Sequence, residues 1–357
     1  MEKSESKFRS ARTAAKNTAF AAAVFLLLLL AAETTVRIAE GDPFDFRTVS
    51  ERYGEFLQGV NPAVYHPRLG YVPKPDFSFV SQEVRYTHGE HGIRVHPDHA
   101  EPGAPVILAV GDSFAYGDRV GDPYSWPAIL EKKTGADVIN AGVFGYALDQ
   151  AVLRAEELVP VYRPDVLVVS LIPDDVYRCS MAARNVWKPY FDVVDGEVVL
   201  KNVPVPTTPP IAEKPLWIRV LSRGRLADRL LNRVAPVWWH DRNQIITGNR
   251  NLSPVIAHLM VRIAELCREH RVRPLVVIQA ERPFPNERDD AARPVLEACR
   301  AMGLPLANLL PDVYMAVEDA GGPDRWFTRG HMSPTGNALV ADRIAEALEW
   351  ENAIPRL

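Results

Sequence analysis

Continuous apolar runs alternate with helical patterns over most of this 357-residue chain. The run at residues 106–110, Val-Ile-Leu-Ala-Val, has no polar side chain on either face, which is typical of a strand buried on both sides of a sheet. Similar runs recur further on, each followed by a segment with helical spacing. Strands that alternate with helices predict a doubly wound α/β fold around a parallel sheet of five strands.

The predicted elements divide the chain into a core and additions. Strands are predicted at residues 106–110, 138–139, 166–172, 275–280 and 304–309, and helices at residues 126–134, 147–162, 254–270, 290–302 and 334–350. This core, residues 105–351, follows an irregular, proline-containing lead-in at residues 37–104. It is interrupted by a large insertion at residues 176–251, which includes a hairpin around Asp195-Gly196.

A basic amphipathic stretch at residues 216–239 lies within the insertion. Its arginines are Arg219, Arg223, Arg225, Arg229 and Arg233. Such a stretch is suited to a membrane surface or to an acidic glycan, and it also fits a solvated helix face that covers an active site. These three alternatives stay open from the sequence.

The N-terminus combines basic residues with an apolar segment. Five basic residues precede residue 17, against two glutamates, and an uncharged run ending in five leucines follows. Twenty helical residues at about 1.5 Å each span a hydrocarbon core of about 30 Å. The positive-inside rule places residues 1–16 in the cytoplasm, residues 17–36 across the membrane and the remainder outside the cytoplasm. The alternative is a cleaved signal peptide, but no small-x-small cleavage site follows the leucines.

Composition excludes several classes of function. The net charge of −4 does not favour nucleic-acid binding. The three cysteines form no CxxC pair, which argues against a zinc or thioredoxin-like site. The histidines at positions 88, 91, 96 and 99 fit solvated loop residues better than a metal site. We expect no metal and no cofactor.

Gly111-Asp112-Ser113 follows the first predicted strand directly. Substrates of doubly wound folds bind beyond the carboxyl ends of the strands, so this serine is placed where chemistry takes place. A serine hydroxyl needs a base to act as a nucleophile. His331 is the candidate base, because it alone among the nine histidines follows a late strand and precedes the closing helix.

Two further polar segments follow predicted strands. Residues 140–146 come after the second strand and include Gly142, whose backbone N–H is a candidate donor to an oxyanion together with that of Ser113. Asp174 and Asp175 come after the third strand. All of these segments are expected at one edge of the sheet.

The order of Gly111-Asp112-Ser113, Gly142, Asp174-Asp175 and His331 resembles the SGNH hydrolase superfamily, the GDSL-type esterases. The segments 111–117, 125–127 and 140–150 are especially similar to membrane-anchored members related to polysaccharide O-acetyltransferases and deacetylases. The resemblance implies a flavodoxin-like sheet, Ser113 as nucleophile, His331 as base and an oxyanion hole from Ser113 and Gly142.

Two positions depart from the family pattern. Asp174 stands where the family has an asparagine that donates to the oxyanion, and a carboxyl group can donate only when it is protonated. The family's aspartate two or three residues before the histidine is replaced by Arg329 and Thr328. Asp324, the nearest upstream acid, is a candidate to orient His331; a Ser–His dyad and a backbone carbonyl as the orienting group are the alternatives.

The sequence therefore predicts a membrane-anchored serine esterase or O-acyltransferase that works through an acyl-serine intermediate. By analogy with the family, its substrate is an acylated carbohydrate or lipid outside the cytoplasm, with acetyl as the acyl group. The alternative is a non-catalytic binding or scaffold protein of an envelope assembly, which the departures at Asp174 and Thr328 favour.

Overall fold

A computed structural model of the chain describes residues 2–39, 44, 62–81, 83–97, 100–208, 210–235, 238–239, 244–247, 251–281 and 289–350. The chain forms two compact units. The N-terminal unit comprises Met1–Arg52 and Pro210–Asn243, and the sheet unit comprises Tyr53–Pro209 and Gln244–Leu357.

The helices of the described residues are, in chain order, α1 Glu2–Ala39, α2 Ser113–Tyr116, α3 Trp126–Thr134, α4 Leu148–Tyr162, α5 Pro173–Arg178, α6 Leu216–Leu221, α7 Arg225–Val234, α8 Ser253–His270, α9 Arg293–Met302, α10 Leu310–Asp319 and α11 Pro334–Trp350. Single 3₁₀ turns lie at Glu90–Gly92, Asp122–Tyr124, Pro210–Glu213, Asp289–Ala292 and Pro323–Arg325.

The strands are β1 Ala63–His66, β2 Gly70–Pro73, β3 Phe77–Ser81, β4 Val84–His88, β5 Val106–Val110, β6 Asp137–Asn140, β7 Val166–Leu171, β8 Met181–Arg184, β9 Val186–Trp187, β10 Tyr190–Val194, β11 Glu197–Lys201, β12 Gln244–Ile246, β13 Arg273–Ile278, β14 Leu306–Asn308, β15 Phe327–Thr328 and β16 His331–Met332.

The central sheet has five parallel strands in the order β14-β13-β7-β5-β6. Read from β6, the strands follow the chain order 2-1-3-4-5, which is the flavodoxin-like arrangement and confirms the predicted fold class. Every residue of β7 is buried, so its apolar run packs against helices on both faces. The strand order reverses direction at β5, and Ser113 follows this strand.

The fifth strand is shorter than the sequence predicts. The first residues of the predicted segment 304–309 are not part of the strand, because the turn that ends helix α9 extends to Leu304. Gly303 adopts a left-handed conformation with φ 65°, and the Leu304 N–H donates to the Cys299 carbonyl at 2.9 Å. This closing turn satisfies the last carbonyls of the helix, so the strand begins only at Leu306.

The lead-in, expected to be irregular, carries four strands within its described part. They form two antiparallel pairs, β1 with β2 and β3 with β4. The backbone N–H of Arg94 then donates to the Asn140 carbonyl at 2.9 Å, next to the end of β6. The lead-in is therefore folded against the sheet through backbone hydrogen bonds that its mixed aromatic and proline-rich composition does not reveal.

The insertion contains the predicted hairpin. Strands β10 and β11 pair around Asp195 and Gly196, both at positive φ, as a two-residue turn requires. Strands β8, β9 and β12 form a separate three-stranded sheet in the sheet unit. The basic stretch at residues 216–239 belongs to the N-terminal unit, where it forms helices α6 and α7.

Helix α1 is longer than the predicted apolar span, because it continues through the basic tail to Glu2. Its part Arg12–Ala39 is long and apolar enough to cross a membrane, a criterion that a signal sequence near the N-terminus also meets. The leucines at positions 26–30 are exposed in the N-terminal unit, which fits a helix whose surroundings are apolar.

Candidate active site

Ser113 is held directly beyond the central strand β5. Gly111 lets the chain pass strand β7 closely, since a Cβ there would lie 2.4 Å from the Ser170 carbonyl oxygen. Asp112 then caps the short helix α2, and its Oδ1 accepts from the Phe114 N–H at 2.9 Å. Ser113 is the first residue of that helix, and its Oγ lies 3.3 Å from the Asp112 Oδ2.

His331 is carried by a tight hairpin. Strands β15 and β16 pair around Arg329 and Gly330, whose φ values of 48° and 88° define a two-residue turn. The hairpin places the His331 Nε2 at 2.9 Å from the Ser113 Oγ, although 218 positions separate the two residues. The ring of Phe114 packs against the imidazole, with centroids 5.1 Å apart.

Asn337 fixes the segment that follows His331. Its side-chain amide donates to the carbonyls of Met332 and Ser333, and its Oδ1 accepts from the Trp126 N–H at 3.0 Å. The side chain is buried, so these bonds tie the hairpin to helices α3 and α11 away from water. These hydrogen bonds therefore fix the backbone next to His331.

The Nδ1 of His331 is buried and has no hydrogen-bond partner among the described residues. Asp324, the predicted orienting acid, is exposed in the 3₁₀ turn Pro323–Arg325 and makes no hydrogen bond to this nitrogen. The carboxylate that approaches the ring is that of Asp118, whose Oδ2 lies 3.8 Å from Nε2, the nitrogen that faces Ser113. The structure thus brings Ser113 and His331 together and leaves Asp324 apart.

Gly142 lies against the helix that carries the serine. A Cβ at this position would come within 2.3 Å of the Tyr116 nitrogen and 2.6 Å of the Ala115 carbonyl carbon. Its N–H donates to the Asn140 Oδ1 at 3.1 Å, so this donor already has an acceptor in the structure. The N–H of Ser113 has none among the described residues.

Arg94 holds the loop after α2 in place. Its buried guanidinium donates to the carbonyls of Tyr116, Gly117 and Val120. It also pairs with Asp122, with 3.2 Å between Nε and Oδ1. The residue comes from the lead-in, which therefore supports the nucleophile's helix directly.

A buried cluster of carboxyl groups lies around the guanidinium of Arg178 and includes Asp112, the residue before Ser113. Asp174 Oδ2 lies 2.7 Å from Arg178 Nη2, Asp175 Oδ1 lies 2.6 Å from Nη1, and Asp112 Oδ2 lies 3.6 Å from Nη1. All four residues are less than a tenth exposed. Asp174 therefore stands in an ion pair, as an acceptor, where the resemblance implies a donor.

The surplus of carboxyl groups shifts their protonation. Burial raises the pKa of Asp175 well above its usual value, and the neighbouring Asp112 raises it further. Burial also raises the pKa of Asp112, which Arg178 opposes. Burial and the proximity of the carboxyl groups to one another favour retention of a proton within the cluster, at Asp175 before the others.

The sequence interpretation missed three residues of this arrangement: Arg94, Arg178 and Asn337. Arg178 had a detectable signal, because it lies three and four positions after Asp175 and Asp174 and faces both on one helix. Asn337 follows His331 closely, but its amide makes ordinary backbone contacts that a single sequence does not indicate. Arg94 is 19 positions from Ser113 in an unrelated segment, so only the fold joins them.

No protein-family model matches the chain, and no curated protein matches it. Solved structures do. A lipolytic protein of the G-D-S-L family from Desulfitobacterium hafniense DCB-2 is 12% identical, with 68% of this chain and 99% of that chain covered and a TM-score of 0.38. The lipase/acylhydrolase from Enterococcus faecalis is 14% identical, with 69% and 96% covered and a TM-score of 0.39. An acetyl xylan esterase is 14% identical, with 68% and 99% covered and a TM-score of 0.40. All three proteins are less than 15% identical to this chain.

Proposed function

We propose that this protein is a serine esterase or O-acyltransferase, with Ser113 as its nucleophile and His331 as its base. The observation that carries the proposal is the 2.9 Å contact between Ser113 Oγ and His331 Nε2 at the carboxyl end of strand β5. Nucleophile and base within hydrogen-bond reach, at the point where the strand order reverses, are what acyl transfer requires.

The chemistry follows from this contact. Nε2 of His331 takes the hydroxyl proton as Oγ attacks the carbonyl carbon of an ester, and a tetrahedral oxyanion forms. The intermediate collapses when the imidazolium returns the proton to the departing alcohol, which leaves an acyl group on Ser113. Water or a sugar hydroxyl then attacks this acyl group. His331 takes the proton of the attacking hydroxyl and passes it to the departing Ser113 Oγ, which gives hydrolysis with water and acyl transfer with a sugar.

Donors for the oxyanion are expected from the backbone. The N–H of Ser113 is available, and it belongs to a rigid helix turn. The N–H of Gly142 serves in this role only if substrate displaces its bond to Asn140. Asp174 contributes by keeping Arg178 in place beside the site, so the positive guanidinium offsets the carboxylates near the developing negative charge.

A fluorophosphonate probe tests the proposal directly, because it reacts only with an activated serine. We expect covalent labelling of wild-type protein within the range from about pH 5 to about pH 9. Ser113→Ala and heat-denatured wild type should not label, whereas Ser78→Ala, which alters an exposed serine on β3, should label normally. A folded wild-type protein that does not react at any pH in this range contradicts the proposal.

The competing function is a non-catalytic scaffold that retains the fold of the hydrolases. The buried Nδ1 of His331 favours it, since this nitrogen has no partner among the described residues and a catalytic histidine is normally oriented by an acceptor. In this case the intact site neither labels nor turns over acetyl esters, and Ser113→Ala leaves the function of the assembly unchanged.

We further propose that α1 is retained as a membrane anchor with residues 1–16 in the cytoplasm and the sheet unit outside it. The basic flank and the apolar part of α1 support this topology. The substrate is then an acylated carbohydrate or lipid outside the cytoplasm, with an acetyl ester as the expected group.

A further inference from the structure

Helices α6 and α7 display large apolar side chains beside arginines. The apolar side chains are Leu216, Trp217, Val220, Leu230, Val234 and Trp238, each between 41% and 72% exposed. Trp217 and Trp238 stack on each other, with ring centroids 6.5 Å apart. We call residues 216–235 together with residues 238 and 239 the paddle. An exposed set of this size and composition marks an interaction surface.

The paddle is also strongly positive within a chain of net charge −4. Five arginines stand against one aspartate, Asp228, and Asp228 is engaged by the Trp239 indole, with 2.7 Å between Nε1 and Oδ1. Arg219, Arg229 and Arg233 are among the exposed arginines. Arginines interleaved with tryptophan, leucine and valine are the composition of a helix that lies in a membrane interface.

Polar contacts join the paddle to the end of α1. The Glu33 carboxylate accepts from the backbone N–H groups of Arg225 and Leu226, both at 2.8 Å, and so caps helix α7. Arg37 donates to the Arg223 carbonyl at 2.5 Å and to Glu33 at 2.6 Å. These contacts lie within one compact unit.

The position of Glu33 sets the depth of the paddle. Glu33 lies three residues before the end of the apolar span at residue 36, which is about 5 Å along the helix axis. Interfacial helices sink about 5–10 Å into the boundary between headgroups and acyl chains. The start of α7 is therefore held at the level of this boundary on the outer side.

We propose that the paddle is a membrane-binding element that inserts its tryptophans and leucines into the outer leaflet and binds anionic lipid headgroups through its arginines. This inference rests on the proposed retention of α1 in the membrane. An anionic lipid surface accounts for both the arginines and the exposed apolar side chains, whereas an acidic glycan accounts for the arginines alone. The attachment to the end of α1 places the paddle beside such a surface without further motion.

Tryptophan quenching in nanodiscs tests the paddle in the full chain. Helix α1 contains no tryptophan, so quenching by brominated phosphatidylcholine reports on the rest of the protein. We expect quenching with bromine near the headgroups, and loss of most of it in Trp217→Phe/Trp238→Phe. We also expect stronger quenching in discs with about one third phosphatidylglycerol than in phosphatidylcholine alone, because an anionic surface attracts the arginine side chains.

A matched set of arginine variants isolates the charge effect. Arg219→Gln/Arg229→Gln/Arg233→Gln should abolish the difference between the two lipid compositions. Arg268→Gln/Arg271→Gln/Arg300→Gln, three exposed arginines of the sheet unit, should retain it. The paddle proposal is wrong if both sets of arginine variants respond equally to the two lipid compositions. It is also wrong if the tryptophan substitutions leave the quenching unchanged.

The outcomes separate the two proposals. A chain that fails to remain in the discs refutes the anchor and, with it, the paddle. A chain that stays in the discs while its tryptophans are not quenched refutes the paddle alone. If an added acidic polysaccharide shields Trp217 and Trp238 from a water-soluble quencher while brominated lipid has no effect, the surface is a glycan site and the membrane proposal is wrong.

Discussion

At the scale of single residues, the ring of His331 is the feature that most limits the proposed catalysis. Its Nε2 can accept the serine proton only when the other nitrogen, Nδ1, carries a hydrogen. That N–H is buried and has no acceptor among the described residues, which costs about 1–3 kcal/mol. The site is therefore built with a correct distance between nucleophile and base and without an orienting partner for the base.

Thr328→Asp should supply that partner. Thr328 pairs with His331 across the hairpin, so their side chains share one face about 5 Å apart. A carboxylate at this position is within reach of the imidazole and stabilises its charged form. We expect kcat/KM for a model acetyl ester to rise about tenfold, which corresponds to about 1.4 kcal/mol. Thr328→Asn is the control of equal size, and an equal rise in both variants would show that charge is not the cause.

At the scale of elements, the contact between the loop after β6 and helix α2 sets the position of Ser113. Gly142→Ala places a methyl group against backbone atoms of α2, which cannot yield as a flexible side chain does. We expect a loss of stability of about 1–3 kcal/mol and a fall in kcat of about tenfold to a hundredfold, since a misplaced nucleophile reacts slowly. Gly121→Ala is the control, because its Cβ would meet only side-chain atoms at 3.6 Å or beyond. Similar losses in both variants would refute a specific role of this contact.

Helix α5 carries a carboxyl group that makes stability depend on pH. The raised pKa of Asp175 means that the folded protein holds this proton more tightly than the unfolded chain, whose value is near 3.8. Stability is therefore highest at low pH with respect to this group, and falls as the pH rises from the unfolded value through the folded one.

Asp175→Asn removes this dependence, and its single amide oxygen can replace one of the two acceptors that the Ile172 N–H and Arg178 use. We expect the Tm of the variant, relative to that of wild type, to rise by a few degrees as the pH increases. The exposed Asp319→Asn should follow the wild-type profile in parallel. Thermal unfolding in detergent across the pH range measures both, and a constant difference between Asp175→Asn and wild type would contradict the assignment.

At the scale of the whole molecule, the central sheet could be predicted from the sequence, whereas the strands of the lead-in could not. Strands buried on both faces leave uninterrupted apolar runs, so β5, β7 and β13 are evident in the sequence, and their alternation with helices gives the parallel sheet. The lead-in strands were missed because short, half-exposed antiparallel pairs have no such signal. Their pairing depends on contacts with the sheet that only the folded chain contains.

The candidate site followed the same division. The contact between Ser113 and His331 could be predicted, because both segments were expected at the carboxyl edge of the sheet. The ion pair of Asp174 with Arg178, and the lack of a partner for the His331 Nδ1 among the described residues, could not be predicted, because they depend on side-chain directions. The expected role of Asp324 relied on its closeness in sequence and stays a prediction.

The anchor makes a prediction at this same scale. If α1 is retained, the full-length chain stays in the membrane pellet after alkaline carbonate washing, and its intact mass includes residues 1–36. Protease should be added to cells that keep an intact plasma membrane but have lost the layers outside it. It should then degrade the sheet unit and leave the basic tail protected. A soluble, shortened chain that begins near residue 37 would show that the segment is a signal peptide.

Because Glu33 caps helix α7, helix α1 contributes to the fold of the N-terminal unit as well as to the proposed anchoring. A simple tether is interchangeable, since any apolar helix of the same length holds a domain at the membrane. Here a chain that begins after Glu33 leaves the N–H groups of Arg225 and Leu226 without their acceptor, at a cost of about 1 kcal/mol each. A soluble truncation and a chimera with a foreign anchor would therefore share one defect: both would preserve the nucleophile while altering the fold of residues 216–239.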